Sequence, residues 1–160
     1  MLAGVLDGGT SARIESSLVR GQRVAAGAGA GYQGLSREDG VFTVTATPVP
    51  GVTLDQLQAA IEAEIHKLAE TPPEQAELDR VRAQVLSGYV FGQDSVFGQA
   101  MELGYLAMIG QDWRLSANMA EALAKVTPQQ VSDAARTWLV PARRAMARVE
   151  PEVSTVEAAQ

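Results

Sequence analysis

There is no cysteine in these 160 residues, which excludes disulfides, thiolate metal sites and cysteine nucleophiles together and leaves the redox compartment open. Histidine occurs once, at His66, so a zinc site built on paired histidines has too few ligands. The same scarcity leaves Ser16, Ser17, Ser87 and Ser95 with a single candidate base among them, and capping or surface roles account for them. Basic residues are outnumbered, 13 Lys and Arg against 19 Asp and Glu, for a formal charge of -6. That balance argues against nucleic acid as a partner, because phosphate affinity rests on clustered cations. No apolar run approaches the roughly 18 to 20 residues that span a bilayer. Met1 is followed by LAGVLDGG, which has no basic n-region and no long apolar h-region, so it is not a signal peptide. It reads instead as the last turns of a helix entered from upstream, which implies a piece of a longer protein.

What is present fits one ordinary globular core, with 46% hydrophobic residues, 5% aromatics and abundant alanine, a composition that favours helices packed through small side chains. Residues 2 to 6 are helix-compatible and stop at Asp7-Gly8-Gly9. A short amphipathic helix is expected from Ala12 to Arg20, then a basic elbow, Arg20-Gly21-Gln22-Arg23. From Val24 to Tyr32 a strand carries Ala26, Ala28, Ala30 and Tyr32 on one face and Ala25, Gly27, Gly29 and Gly31 on the other. The second face is almost bare backbone, open to close approach by another chain. Alternation over Val41 to Val49 predicts a partner strand in an antiparallel hairpin, ended by Pro48 and Pro50.

The rest is helical. Thr53 and Gln56 form a capping box ahead of Leu54, Leu57, Ile61, Ile65 and Leu68, and Pro72-Pro73 precede a second helix carrying Leu78, Val81, Val85 and Tyr89. A third helix opens at Asp94 or Ser95 with the stripe Phe97, Met101, Tyr105 and Met108, read as core or interface rather than a cofactor box, and closes at Gly110. Asp112 to Ala124 reads as one shorter helix. Thr127-Pro128-Gln129-Gln130 opens the last, with Val131, Ala134, Ala135, Trp138 and Leu139 as its buried face. Ala142 to Val149 is expected to be a final strand. The fold class is α+β, a mainly antiparallel sheet with helices on one face, spanning residues 1–151 as a single domain whose first strand is missing, with a polar tail at 152–160.

Tests for chemistry mostly fail. Glu62, His66 and Glu70 share a helical face, but that spacing is the ordinary one for a solvated surface, and neither H-E-x-x-H nor H-x-x-E-H is present. Glu62 with Glu64, and Glu74 with Glu77, are accounted for by helical charge patterning. The run G-A-G-A-G-Y lacks both the Lys-Ser/Thr of a P-loop and the helix-opening glycine of a dinucleotide fold.

The order of segments carries more than any one of them. Asp7-Gly8-Gly9, Ser11-Ala12-Arg13-Ile14, Leu18-Val19-Arg20, two strands, Pro50-Gly51, Thr71-Pro72-Pro73-Glu74, Lys125-Val126-Thr127-Pro128 and Arg148-Val149-Glu150-Pro151 together resemble the pitrilysin/insulinase family of zinc metallopeptidases. In that family homologous α+β domains pair into a clam-shell, one holding zinc through H-x-x-E-H while the other closes the chamber. The chain resembles the metal-free C-terminal domain. The resemblance implies no cofactor in this chain, zinc in a homologous partner domain, an extended peptide substrate, and no catalysis by this chain alone. The alternative it leaves is an inactive homologue acting as an assembly or scaffold subunit.

Active relatives hold substrate with an Arg and, seven residues on, a Tyr. With Leu18 aligned to the family leucine, Val19 and Ala26 occupy those positions and Arg20 is displaced by one. Arg20 is the one candidate substrate-binding residue, against the alternative of a helix-end Arg stabilised by the dipole. A missing first strand would expose a sheet edge and invite a homodimer by strand addition. Many relatives suggest a bacterial periplasmic location, and a cytoplasmic one stays open.

Overall fold

The computed structural model describes residues 1–150. Helix α1 (Leu2–Asp7) leads through a glycine turn into a helical segment that is π-helical over Glu15–Gly21. The expected helix over Ala12 to Arg20 is therefore present but wider than an α-helix, as Gln22 N donating to Ser17 O at 2.7 Å across five residues attests. Its wider turns still bury Ile14 and Leu18 completely, so the apolar spacing that marked a helix does its packing in the altered geometry.

Strands β1 (Ala25–Tyr32) and β2 (Phe42–Pro48) pair antiparallel with Tyr32 opposite Phe42 and Ala28 opposite Ala46, and a register shift lies between Ala25 and Gly27. Gln33 N donates to Val41 O at 3.1 Å. Antiparallel bonding alternates, so that bond makes Gly31–Thr43 and Gly29–Thr45 the bonded pairs and turns the backbone groups of Ala28, Ala30, Phe42, Val44 and Ala46 outward, to the two sheet edges. Ala30 N confirms the parity, donating outward to Asp7 Oδ2 at 2.9 Å.

Helices α2 (Leu54–Glu70) and α7 (Pro128–Trp138) pack together against the hairpin side. Both start with complete capping boxes, Thr53 with Gln56 and Thr127 with Gln130, each satisfying two otherwise orphaned backbone donors. With α1 and the first half of α3 (Gln75–Gly92) they enclose one core of Val5, Leu6, Ile14, Leu18, Ala25, Leu57, Leu68, Leu78, Val81, Val131 and Ala135. Phe42, Val44 and Ala46 pack on it from the sheet, leaving Thr43, Thr45 and Thr47 on the outer face. Helices on one face of an antiparallel sheet make the fold α+β, as expected.

Several expectations are corrected. Asp112 to Ala124 is two helices, α5 (Arg114–Ala117) and α6 (Met119–Ala124), broken at Asn118, whose φ of -95° and ψ of 1° leave the helical region. Asn is a poor interior helix former because its side chain competes for backbone groups. Phe97, Met101 and Met108 on α4 (Val96–Met108) point to solvent, so that stripe is not core of this chain; Leu106 is the helix's buried side chain. Trp138 is likewise exposed, its ring covered on one side by the Arg143 guanidinium 4.5 Å from the centroid. Ala142 to Val149 is not a strand. It continues from a 3-10 turn (Pro141–Arg143) without a ladder partner among the described residues, and its arginines reach α2 instead, Arg144 to Glu62 and Arg148 to Gln58 and Asp55. The expected polar tail at 152–160 and Pro151 lie outside the described residues.

Candidate functional site

The stretch from Asp7 to Tyr32 sits where α1, the π-helix, β1, α2 and α3 meet, and polar bonds fasten it on every side. Arg13 grips Glu77 of α3 bidentately, Nε to Oε1 at 2.9 Å and Nη2 to Oε2 at 2.8 Å. The Glu77 bond, more than its charge, holds the Arg13 guanidinium above its ordinary pKa, against the opposing effect of partial burial. Ser17 Oγ donates to Glu64 Oε1 at 2.7 Å, and Lys67 Nζ donates to the same oxygen at 2.6 Å. Gln22 Nε2 donates to Ser17 Oγ, extending the chain of bonds to the elbow.

Glu64 is the residue that pattern reasoning misplaced. It reads as one of several helical surface charges, yet it is 4% exposed. Its signal lay in the chain: Glu64 is three residues after Ile61 and four before Leu68, on the apolar stripe of α2. A buried carboxylate is retained only when it is bonded and paired, and Ser17 and Lys67 do both.

Arg20 is exposed, at the end of the π-helix, and its guanidinium donates to the backbone oxygen of Thr10. Val19, beside it, is half-buried and packs against the core, so it is not free to be exchanged for a substrate-facing side chain without loss of packing. Ala26 is exposed at the register shift of β1. The outer sheet face beside this elbow carries Gly27, Gly29 and Gly31 with Thr43, Thr45 and Thr47, and a Cβ added at Gly27 would meet nothing within 4 Å. The face is open at Gly27, while a Cβ at Gly29 would lie 3.0 Å from Asp7 Oδ2, and both Arg20 and Arg23 are exposed at the elbow.

The candidate zinc ligands do not fit a metal. His66 Nδ1 faces Glu70 Oε2 at 3.3 Å with both side chains about two-thirds exposed, while Glu62 is taken by Gln58 and Arg144. Among the described residues no three His, Asp or Glu side chains gather in a group able to hold a metal ion. No helix among them is long and apolar enough to cross a membrane.

Comparison with known proteins agrees with this geometry. The family model for the peptidase M16 inactive domain matches residues 1–85, just over half the chain. The chain belongs to that family, the metal-free C-terminal domain of the pitrilysin/insulinase metallopeptidases. The fold recurs in a candidate zinc protease from Bordetella pertussis Tohama I, 24% identical, with a TM-score of 0.82, covering 94% of this chain and 82% of that one. It recurs in the inactive peptidase domain of a candidate zinc protease from Bordetella parapertussis, 23% identical, TM-score 0.83, covering 94% and 80%. A protease from Helicobacter pylori matches at 22% identity and TM-score 0.78 over 89% of this chain, which spans 34% of that longer one. No curated protein matches the sequence.

Proposed function

We propose that this chain, read as one domain over residues 1–151, closes a peptide-binding chamber against a homologous partner domain that bears H-x-x-E-H and the zinc. It supplies surface and orientation, and the partner supplies the chemistry. The observation that carries the reading is the glycine-rich sheet face of Gly27, Gly29 and Gly31, open at Gly27 and preceded by the elbow with exposed Arg20, in a domain of the family's inactive class. An extended peptide needs close approach to backbone and an anchoring donor, and those two features supply them. Steady-state peptide hydrolysis by the chain combined with its zinc-bearing partner tests this. Arg20→Ala is expected to lower kcat/KM about tenfold, the worth of one charge-assisted bond. Unchanged kinetics would remove Arg20 from the site, and stoichiometric zinc or peptidase activity in the chain alone would overturn the reading.

A second reading, an assembly or scaffold subunit, is favoured by Val19 and Ala26 standing where active relatives carry Arg and Tyr. Stable association with another complex, in the absence of any H-x-x-E-H partner, would select it. Either role is compatible with a homodimer through the outward backbone groups of Phe42, Val44 and Ala46, an exposed edge of the kind that accepts another strand. Sedimentation is expected to show dimer at high concentration, and a strict monomer there counts against it.

A further inference from the structure

The chain carries an excess of acids, and most of its arginines find one: Arg13 meets Glu77, Arg82 meets Asp79, Arg114 meets Asp112, Arg136 meets Asp133, and Arg144 and Arg148 meet acids of α2. Among the described residues Arg20 and Arg80 do not. Both instead donate to neutral oxygens of two adjacent residues in one turn, Arg20 to Thr10 O and Arg80 Nη1 to Ser11 Oγ at 2.7 Å. Arg23, Arg37 and Arg143 also lack acidic partners among the described residues, Arg23 and Arg37 in exposed loops and Arg143 over the Trp138 ring. Arg20 and Arg80 reach adjacent residues of one turn, from the π-helix and from α3.

The turn between them is fixed by glycine. A Cβ at Gly8 would lie 2.2 Å from Gly4 O, and Gly9 has φ +97°, which an L side chain rarely adopts. Thr10 and Ser11 are thereby presented outward, exposed, over the Arg80 guanidinium. Beneath them Arg80 Nε and Nη2 are sealed from water and have no acceptor among the described residues. A buried donor pair left unbonded is costly, and native folds seldom keep one without a use. The two atoms are the same fork, Nε with Nη2, by which Arg13 chelates Glu77 one turn earlier along α3. Parallel N–H donors of that spacing match the two oxygens of a carboxylate.

We propose that the Gly9–Ser11 turn covers a carboxylate-binding site, in which the Arg80 fork takes the two oxygens and Arg20 adds charge from the opposite side. The ligand is a carboxylate of a peptide, either an acidic side chain or a free C-terminus, and its entry displaces the exposed Ser11 side chain from Arg80. This deepens the substrate-positioning reading of Arg20, while the Arg80 fork supports it independently.

The test is titration of the chain alone, followed by amide chemical shifts, with three alanine-glycine hexapeptides: one with a free C-terminus, its C-terminal amide, and that amide carrying one internal glutamate. One or both of the carboxylate-bearing peptides are expected to bind, shifting residues 8–13 and 80, with the amide inert; which of the two binds names the source. Arg80→Gln is expected to weaken binding about tenfold, and Arg80→Lys nearly as much, because an ammonium is not a planar fork. Arg80→Lys keeps the charge and guards against mistaking misfolding for lost contact. Equal binding by the amide, no binding by any peptide, or full affinity in Arg80→Lys overturns the site. If the peptides bind through Arg80 but Arg20→Ala leaves the assembled enzyme unchanged, the substrate-positioning role of Arg20 fails and the Arg80 site stands. If Arg20→Ala slows the assembled enzyme but no peptide binds the chain, the site fails and the chamber reading stands.

Discussion

Two regions of the molecule are built from equally regular sequence and pack very differently. Residues 1 to 81 and 131 to 135 supply every buried member of the main core, while from Arg82 to Gln130 only Val126 packs against it, partly buried. In that second region Leu106 and Ile109 are the buried hydrophobics, and Phe91, Val96, Phe97, Met101 and Met108 face outward. The family match ends at residue 85, shortly after the first run of core members ends at Val81. Hydrophobic periodicity says that a helix will have an apolar face; it does not say that the face is covered within the same chain. On α4 the covered side carries Glu102, bonded by Ser116 Oγ at 2.7 Å, and the uncovered side carries the aromatic and methionine stripe.

The comparison breaks first at the core. Leu68 is fully buried between α2 and its neighbours, so Leu68→Ala leaves a cavity and is expected to cost about 3 kcal/mol in denaturant unfolding. A loss under about 1 kcal/mol would mean that the first region is no better packed than the second. Next in size is the Arg13–Glu77 pair, whose side chains are each about one-fifth exposed. Arg13→Gln leaves a partly desolvated carboxylate and is expected to cost about 2 kcal/mol. A double-mutant cycle with Glu77→Gln should recover most of that loss, and additive losses would show that the pair is not coupled.

How much of this was readable beforehand divides along the same line. Capping boxes at Thr53 and Thr127, the glycine stop at Gly8 and Gly9, and the alternation of the hairpin are local signals, and each appears where its residues stand. The π-helical widening of Glu15–Gly21 is not local, because it answers to packing against α2 and β1. The burial of Glu64 depends on Ser17, 47 residues away, and the lack of a strand over 142–149 goes with the lack of a ladder partner among the described residues. Of the candidate site, Arg20 was visible as a displaced motif residue. Arg80 was not, since nothing in its own helix distinguishes a paired arginine from an unpaired one.

A smaller effect tests the segment that was expected to be a strand. The Gln58 side-chain bond, and then Arg144, hold the Glu62 carboxyl below its ordinary value of 4.5. A depressed carboxyl pKa means stability that is present above the unfolded value and is lost as pH falls through the folded one. Glu62→Gln is therefore expected to cost well under 1 kcal/mol at neutral pH, because the pair is exposed and screened. The difference from the parent should shrink to nothing in unfolding curves taken in acid below the ordinary Glu range. A cost that persisted there would point to packing of residues 144–148 on α2 rather than charge.

The smallest expected effect lies at the most exposed aromatic of the second region. Phe97 is 76% exposed, so Phe97→Ser removes little buried surface and should change unfolding stability by less than about 0.5 kcal/mol. The informative readout is instead association, because an apolar helix face this exposed is ordinarily an interaction surface. If Phe97→Ser leaves stability unchanged but weakens binding to the proposed partner domain, the exposed face of α4 belongs to that interface. If the substitution costs as much as Leu68→Ala, the outward placement of α4 is wrong and the contrast between the two regions falls with it.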